Sequence, residues 1–135
     1  MRNAQKYIEF VHSKGQNGLA LRRVYYQLLN PELFLLAYGK LYAHQGATTR
    51  GINSQDTVEG MSLERIDEII QTLKHRTYQW QPVRRTDIPK KDGKTRPLGI
   101  TGWNDKLVQE VVRMILEAYY EPKFSHYLCT FCLER

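Results

Sequence analysis

The chain has 135 residues, with 20 Lys and Arg against 14 Asp and Glu, a net charge of +6. That length holds one domain with a modest core rather than two, and the positive charge favours a polyanionic partner over a merely solvated basic surface. No apolar run reaches the ~18 residues of a membrane helix, MRNAQKYIEF has no signal-peptide core, and two cysteines make no disulfide framework, so a reducing compartment is the default.

Residues 3 to 13 read as a short helix with Tyr7, Ile8 and Val11 on one side, followed by a turn over 14–18. A second helix is expected from Gly18 to Leu29, because Leu21, Val24, Tyr25 and Leu28 fall at i, i+3, i+4 and i+7. Arg22, Arg23 and Tyr26 point away from that stripe, as a solvated face or as phosphate contacts. Asn30 is a favoured N-cap and Pro31 suits a first helical position, so a third helix runs from Pro31 to about His44. Its core stripe is Leu33, Leu36, Ala37, Leu41 and Tyr42.

Gly46 to Ser62 is polar, glycine-containing and without period, which marks a functional loop or a linker. Ser62 is a second N-cap, opening a helix from Leu63 to about Arg76 with a stripe of Leu63, Ile66, Ile69, Ile70 and Leu73. Glu64, Asp67 and Glu68 near its start and Lys74 and Arg76 near its end agree with the helix dipole. TYQWQP then leads, extended, into the next element, with Trp80 expected as a core anchor ahead of a base-stacking role.

Val83 to Ile100, VRRTDIPKKDGKTRPLGI, reads as a basic hairpin. Asp92-Gly93 supplies its tip, since glycine tolerates φ > 0 without a Cβ clash. Pro97 has no N–H and confines the returning strand to an edge or a bulge. Arg84, Arg85, Lys90, Lys91, Lys94 and Arg96 stand against Asp87 and Asp92, a net of +4. Lysine point charges and arginine forks on a ribbon suit polyphosphate. A second basic cluster, Arg2, Lys6, Lys14, Arg22 and Arg23, is opposed by Glu9 alone. Thr101-Gly102 turns the chain into a helix from Trp103 to Tyr120, ended by Glu121-Pro122. Leu107, Val108, Val111, Val112, Ile115 and Leu116 form a face wide enough to need cover on more than one side. Cys129-x-x-Cys132, with His126 nearby, has the spacing of half a zinc site, but without a second pair no metal is expected.

IPKKDGKTRPLGI resembles the first conserved block of group II intron reverse transcriptases, the intron-encoded maturases, where it forms the β-hairpin of the fingers. WNDKLVQEVVRMILEAYYEPKF resembles the helix that follows, and the stretch from Asn30 to Ser62 resembles the extra block ahead of the fingers. That resemblance makes the segment 46–62 a lid over template RNA, although Asn53 stands where the family often has Asp. It also places Lys90 and Arg96 where fingers hold the incoming nucleotide's triphosphate. The family continues past Ser125 with a Phe-Arg-Pro motif and with palm aspartates that bind two divalent metals. This chain reads FSHYLCTFCLER instead and has no Tyr-x-Asp-Asp, which suggests a truncation before the palm.

The expected fold is therefore α+β, a helical N-terminal region plus a small antiparallel hairpin, like the fingers of a right-hand polymerase. The expected organisation is a basic helical extension at 1–29, a fingers-like domain at 30–125 and a divergent tail at 126–135. RNA-binding candidates are Arg22, Arg23, Arg84, Arg85, Lys90, Lys91, Lys94 and Arg96, with no catalytic residue, and Mg2+ only if a palm is supplied. The first functional expectation is a non-catalytic component of a ribonucleoprotein, binding intron or ribosomal RNA. The second is the fingers portion of an active RNA-directed DNA polymerase or splicing maturase completed by a separate palm polypeptide. The third is a protein-interaction module whose charge is incidental. A protein partner or ribonucleoprotein is expected over the 103–120 face. The compartment is organellar or bacterial cytoplasm, with the mitochondrion slightly favoured.

Overall fold

The computed structural model describes residues 3–43 and 62–123. Arg2, most of the polar segment 46–62 and the tail 126–135 with His126, Cys129 and Cys132 lie outside them. The described elements are α1 (Ala4–Gln16), α2 (Val24–Gln27), α3 (Pro31–Ala43), α4 (Leu63–Lys74), β1 (Arg84–Pro89), β2 (Thr95–Ile100) and α5 (Trp103–Tyr120), closed by a 3-10 turn at Glu121–Lys123. This is an α+β arrangement, helices around one core and a two-stranded antiparallel sheet.

The core is built on α5. Leu107, Val111, Ile115 and Trp103 are essentially inaccessible, and Val108, Met114 and Ala118 are buried beside them. Tyr7 and Val11 of α1, Leu33, Phe34 and Ala37 of α3, and Ile66, Ile69, Ile70 and Leu73 of α4 complete the cluster. The 103–120 face expected to await a partner is thus covered within the chain, because α1 and α3 both pack on α5. Leu116 and Tyr120 stay exposed and Val112 is half-buried. On the outer side of α5, Arg113 bridges Glu110 and Glu117 one turn away in each direction. The hydrogen bond to Glu110 raises the pKa of the Arg113 guanidinium above its ordinary value, against a smaller lowering by burial.

Helix ends follow local chemistry. Asn3 Oδ1 accepts the Gln5 and Lys6 N–H groups, and Glu32 of α3 reaches across to accept the Ala4 N–H at 2.9 Å. Asn30 and Ser62 cap α3 and α4 as expected, through the Glu32 and Arg65 N–H groups. The expected helix from Gly18 to Leu29 is reduced to the single turn of α2. Gly18, at φ 65°, instead ends α1, with Leu19 N–H donating to Lys14 and Gly18 N–H to Gly15. These are the two bonds of a Schellman terminator with glycine at the left-handed position. The same pair of bonds ends α4, with Arg76 left-handed at φ 57°. Two further apolar assignments differ: Tyr42 and Leu63 lie outside their helices' buried stripes, and Phe34 is buried in α3 instead.

α1 and α5 approach closely at Gly15, where an added Cβ would clash with the Tyr119 carbonyl oxygen. Gly15→Ala should therefore destabilise the chain by about 1–3 kcal/mol, despite alanine's better helix propensity. Gly39→Ala on α3, where a Cβ meets nothing within 4 Å, should stabilise by up to about 1 kcal/mol. Urea unfolding of the two variants checks the pair, and equal effects would contradict the close approach.

Candidate nucleic-acid interface

β1 and β2 pair from Arg84↔Ile100 to Pro89↔Thr95. Beyond that pair, Lys90 N–H donates to Lys94 O at 2.7 Å and Gly93 N–H to Lys90 O at 3.2 Å, with Gly93 at φ 81°. The loop is thus a three-residue turn closed by a left-handed glycine. Asp92 at its tip accepts the Lys94 N–H at 3.1 Å. Both strands are edges, which accommodates Pro97 opposite Asp87.

Pairing and alternation sort the cations. Residues directly opposite share a face, and successive residues alternate faces. Arg84, Thr86, Ile88 and Lys90 therefore share one face with Ile100, Leu98, Arg96 and Lys94. That face holds four of the six cations and no carboxylate. The other face holds Arg85, whose Nε lies 3.7 Å from Asp87 Oδ1 in an exposed pair, worth little in stability but a local counter-charge. Lys91 sits in the loop. All six side chains are exposed.

The ribbon is held to the helical body by a contact whose partners have no local signal in the sequence. Asp105, in the first turn of α5, is 1% exposed. It accepts the Tyr78 hydroxyl and, at 2.9 Å, the Gln81 N–H, so two residues of the approach to β1 are tied to one buried carboxylate. The signal in the sequence was an acid in the first helical turn, but such a residue ordinarily serves its own helix end, and nothing local pointed to a partner 24 or 27 residues away. Trp80, expected in the core, is 56% exposed. Tyr78 takes the inward position, and the indole stands edge-to-face against it at 5.2 Å.

Arg22 and Arg23 are exposed in the irregular stretch before α2, with Arg23 left-handed at φ 57°. Their segment is tied down by the Tyr119 hydroxyl on Leu19 O at 2.8 Å and the Tyr25 hydroxyl on Leu73 O at 2.6 Å. Lys6 is exposed, and Lys14 lies over the Phe10 ring. Among the described residues no group of three or more His, Cys, Asp or Glu is placed to hold a metal, and no helix is long and apolar enough to cross a membrane.

The chain is 46% identical over 128 residues to the group II intron-encoded protein LtrA of Lactococcus lactis subsp. cremoris, an alignment covering 93% of this chain and 21% of that protein. It belongs to the group II intron-encoded proteins. A 91 kDa protein in the cob intron of Schizosaccharomyces pombe is also 46% identical, over 115 residues, covering 84% of this chain and 14% of its own length. The putative COX1/OXI3 intron 2 protein of Saccharomyces cerevisiae is 34% identical over 95 residues, covering 70% and 11%. No protein-family model matches. Like these alignments, the chain spans a small part of its group II intron-encoded relatives, about a fifth of LtrA.

Asp105→Ala should strand the Tyr78 hydroxyl and the Gln81 N–H, at a cost of about 2–3 kcal/mol. Urea unfolding and amide exchange at Gln81 check this. An unchanged midpoint with unchanged Gln81 protection would contradict the tether.

Proposed function

We propose that this chain is an RNA-binding module of the group II intron-encoded family, acting as a non-catalytic part of a ribonucleoprotein. The observation that carries this is the hairpin face on which Arg84, Lys90, Lys94 and Arg96 project together with no carboxylate among them. Such a face suits a phosphate backbone. Arginine gives planar, bidentate contacts and lysine gives point charges. Lys91, Arg22 and Arg23 extend the basic surface, while Arg85 lies on the other face beside Asp87. The partner RNA is intron RNA or ribosomal RNA, and the setting is an organelle, the mitochondrion first, or the bacterial cytoplasm. Relatives from a bacterium and from yeast introns support both settings. An interaction module with incidental charge is the alternative that RNA titration separates.

Binding of single-stranded RNA should weaken linearly in log–log terms as salt rises. Each phosphate contact removed should lower the slope by roughly 0.7 for single strands and 0.9 for duplex. Lys90→Ala/Lys91→Ala and Arg22→Ala/Arg23→Ala should each flatten the slope with little change in preference among RNA sequences. Circular dichroism beside the titration separates lost contacts from lost folding. Folded variants that bind as tightly as wild type at every salt concentration would remove RNA binding from these patches.

A second reading rests on the same face. The relatives are several times longer than this chain. Joined to a palm on the same or another polypeptide, with its Mg2+, the hairpin would serve as polymerase fingers. Lys90 and Arg96 share one face, Arg96 directly opposite Ile88, and there they would grip the triphosphate of an incoming nucleotide. In a palm-bearing assembly, Lys90→Ala and Arg96→Ala should each raise the nucleotide KM by about tenfold, the loss of one charge-assisted contact. An unchanged KM in both would end that assignment.

A further inference from the structure

Among the described residues, Trp80 is the large aromatic at the foot of the hairpin that the fold holds in place and leaves uncovered. Tryptophan is ordinarily well buried, yet here 56% of the residue is exposed, while the chain's second tryptophan, Trp103, is 1% exposed. Nor is Trp80 a loose surface ring. Tyr78 on one side is fixed by its hydroxyl on Asp105, and Gln81 on the other by its N–H on the same carboxylate. The indole is braced edge-to-face by the Tyr78 ring, at 5.2 Å between centroids and 81° between planes. Arg84 follows four residues later, roughly 13 Å along an extended chain, the distance of a few nucleotides from the first cation of the phosphate-suited face.

A preorganised, solvent-facing indole next to a row of cations is the combination that single-stranded nucleic acid uses. Cations track the backbone, and an aromatic plane takes an unpaired base whatever its identity. A duplex hides its base planes and has little to offer the ring. We propose that Trp80 is a stacking platform for an unpaired base of single-stranded RNA whose phosphates run along the hairpin. This rests on the RNA-binding reading above and adds to it a strand state and a residue.

With Trp103 buried, the change in intrinsic fluorescence on binding reports Trp80. The full chain is titrated with a short oligouridylate, with the abasic ribose-phosphate oligomer of the same length, and with a duplex. Oligouridylate should quench the emission, and the abasic oligomer and duplex should bind without quenching. Trp80→Ala should abolish the quenching and weaken oligouridylate binding at least about fivefold. The salt slope should stay unchanged, since the phosphate contacts remain, and affinity for the abasic oligomer should be unaltered. Trp80→Phe should recover part of the lost affinity, and emission from Trp103 reports that both variants are folded. Oligouridylate that binds without quenching, or binds Trp80→Ala as tightly as wild type, overturns the platform while RNA binding stands. Failure of every oligomer to bind at low salt overturns both. Equal weakening for oligouridylate and abasic oligomer would show a structural role for Trp80 and likewise overturn the proposal.

Discussion

Everything described in this chain depends on the burial of one side of α5. Its inner residues are covered by α1 and α3, with α4 packed on α3 to complete the cluster, and the contact with α1 is close enough that Gly15 lies directly on the Tyr119 backbone. A larger residue there would push apart the two elements that share the most extensive helix–helix contact. The N-terminal segment is therefore part of the core. The Glu32 carboxylate that caps α1 and the Tyr119 hydroxyl that holds Leu19 tie it further to α3 and α5. With its apolar side satisfied internally, α5 is free to act as a base plate for the hairpin.

The link between base plate and hairpin is Asp105. A buried carboxylate is costly unless its charge is met by hydrogen bonds, and the donors that meet it come from the approach to β1. Among the described residues the hairpin makes its extensive contacts within itself, so this tether, with the short Thr101-Gly102 link into α5, orients its cations relative to the body. The same tether fixes Tyr78 and Gln81, which flank Trp80 two residues before and one after it. Packing, the buried acid, the anchored approach and the basic ribbon thus form one chain of dependence from α5 to the cationic face of the hairpin.

Much of this was legible in the residues. α5 begins and ends where Gly102 and Glu121-Pro122 place it, Asn30 and Ser62 cap the helices they precede, and Asp92-Gly93 makes the turn. The hairpin register was not legible, and with it the sorting of cations between faces. That needs the count of loop residues, and the left-handed Gly93 adds one to a two-residue turn. The helix expected at 18–29 failed because its apolar spacing was real but Gly18 was already spent ending α1. Glycine at a C-terminal position is a stop signal that outranks three or four spaced apolar residues. The expectation that Trp80 anchors the core differs from its exposed position in the fold. The sequence has no local sign that Tyr78, with a hydroxyl for a buried acid, is the better fit. Asp105 carries no local signal of its partners, because they are distant in sequence.

The central claim is that one face of the hairpin, and not the ribbon's charge as a whole, takes the phosphates. Comparing the salt dependence of RNA binding for Lys94→Gln/Arg96→Gln with that for Arg85→Gln tests it most directly. The first variant removes two cations from the carboxylate-free face, and the second removes the one already facing Asp87. The expected result is a slope lowered by roughly 1.4 units for the double variant on single-stranded RNA, about 0.7 for each contact, and a slope close to wild type for Arg85→Gln. Slopes that fall in proportion to the charge removed, whichever face it came from, would contradict the claim.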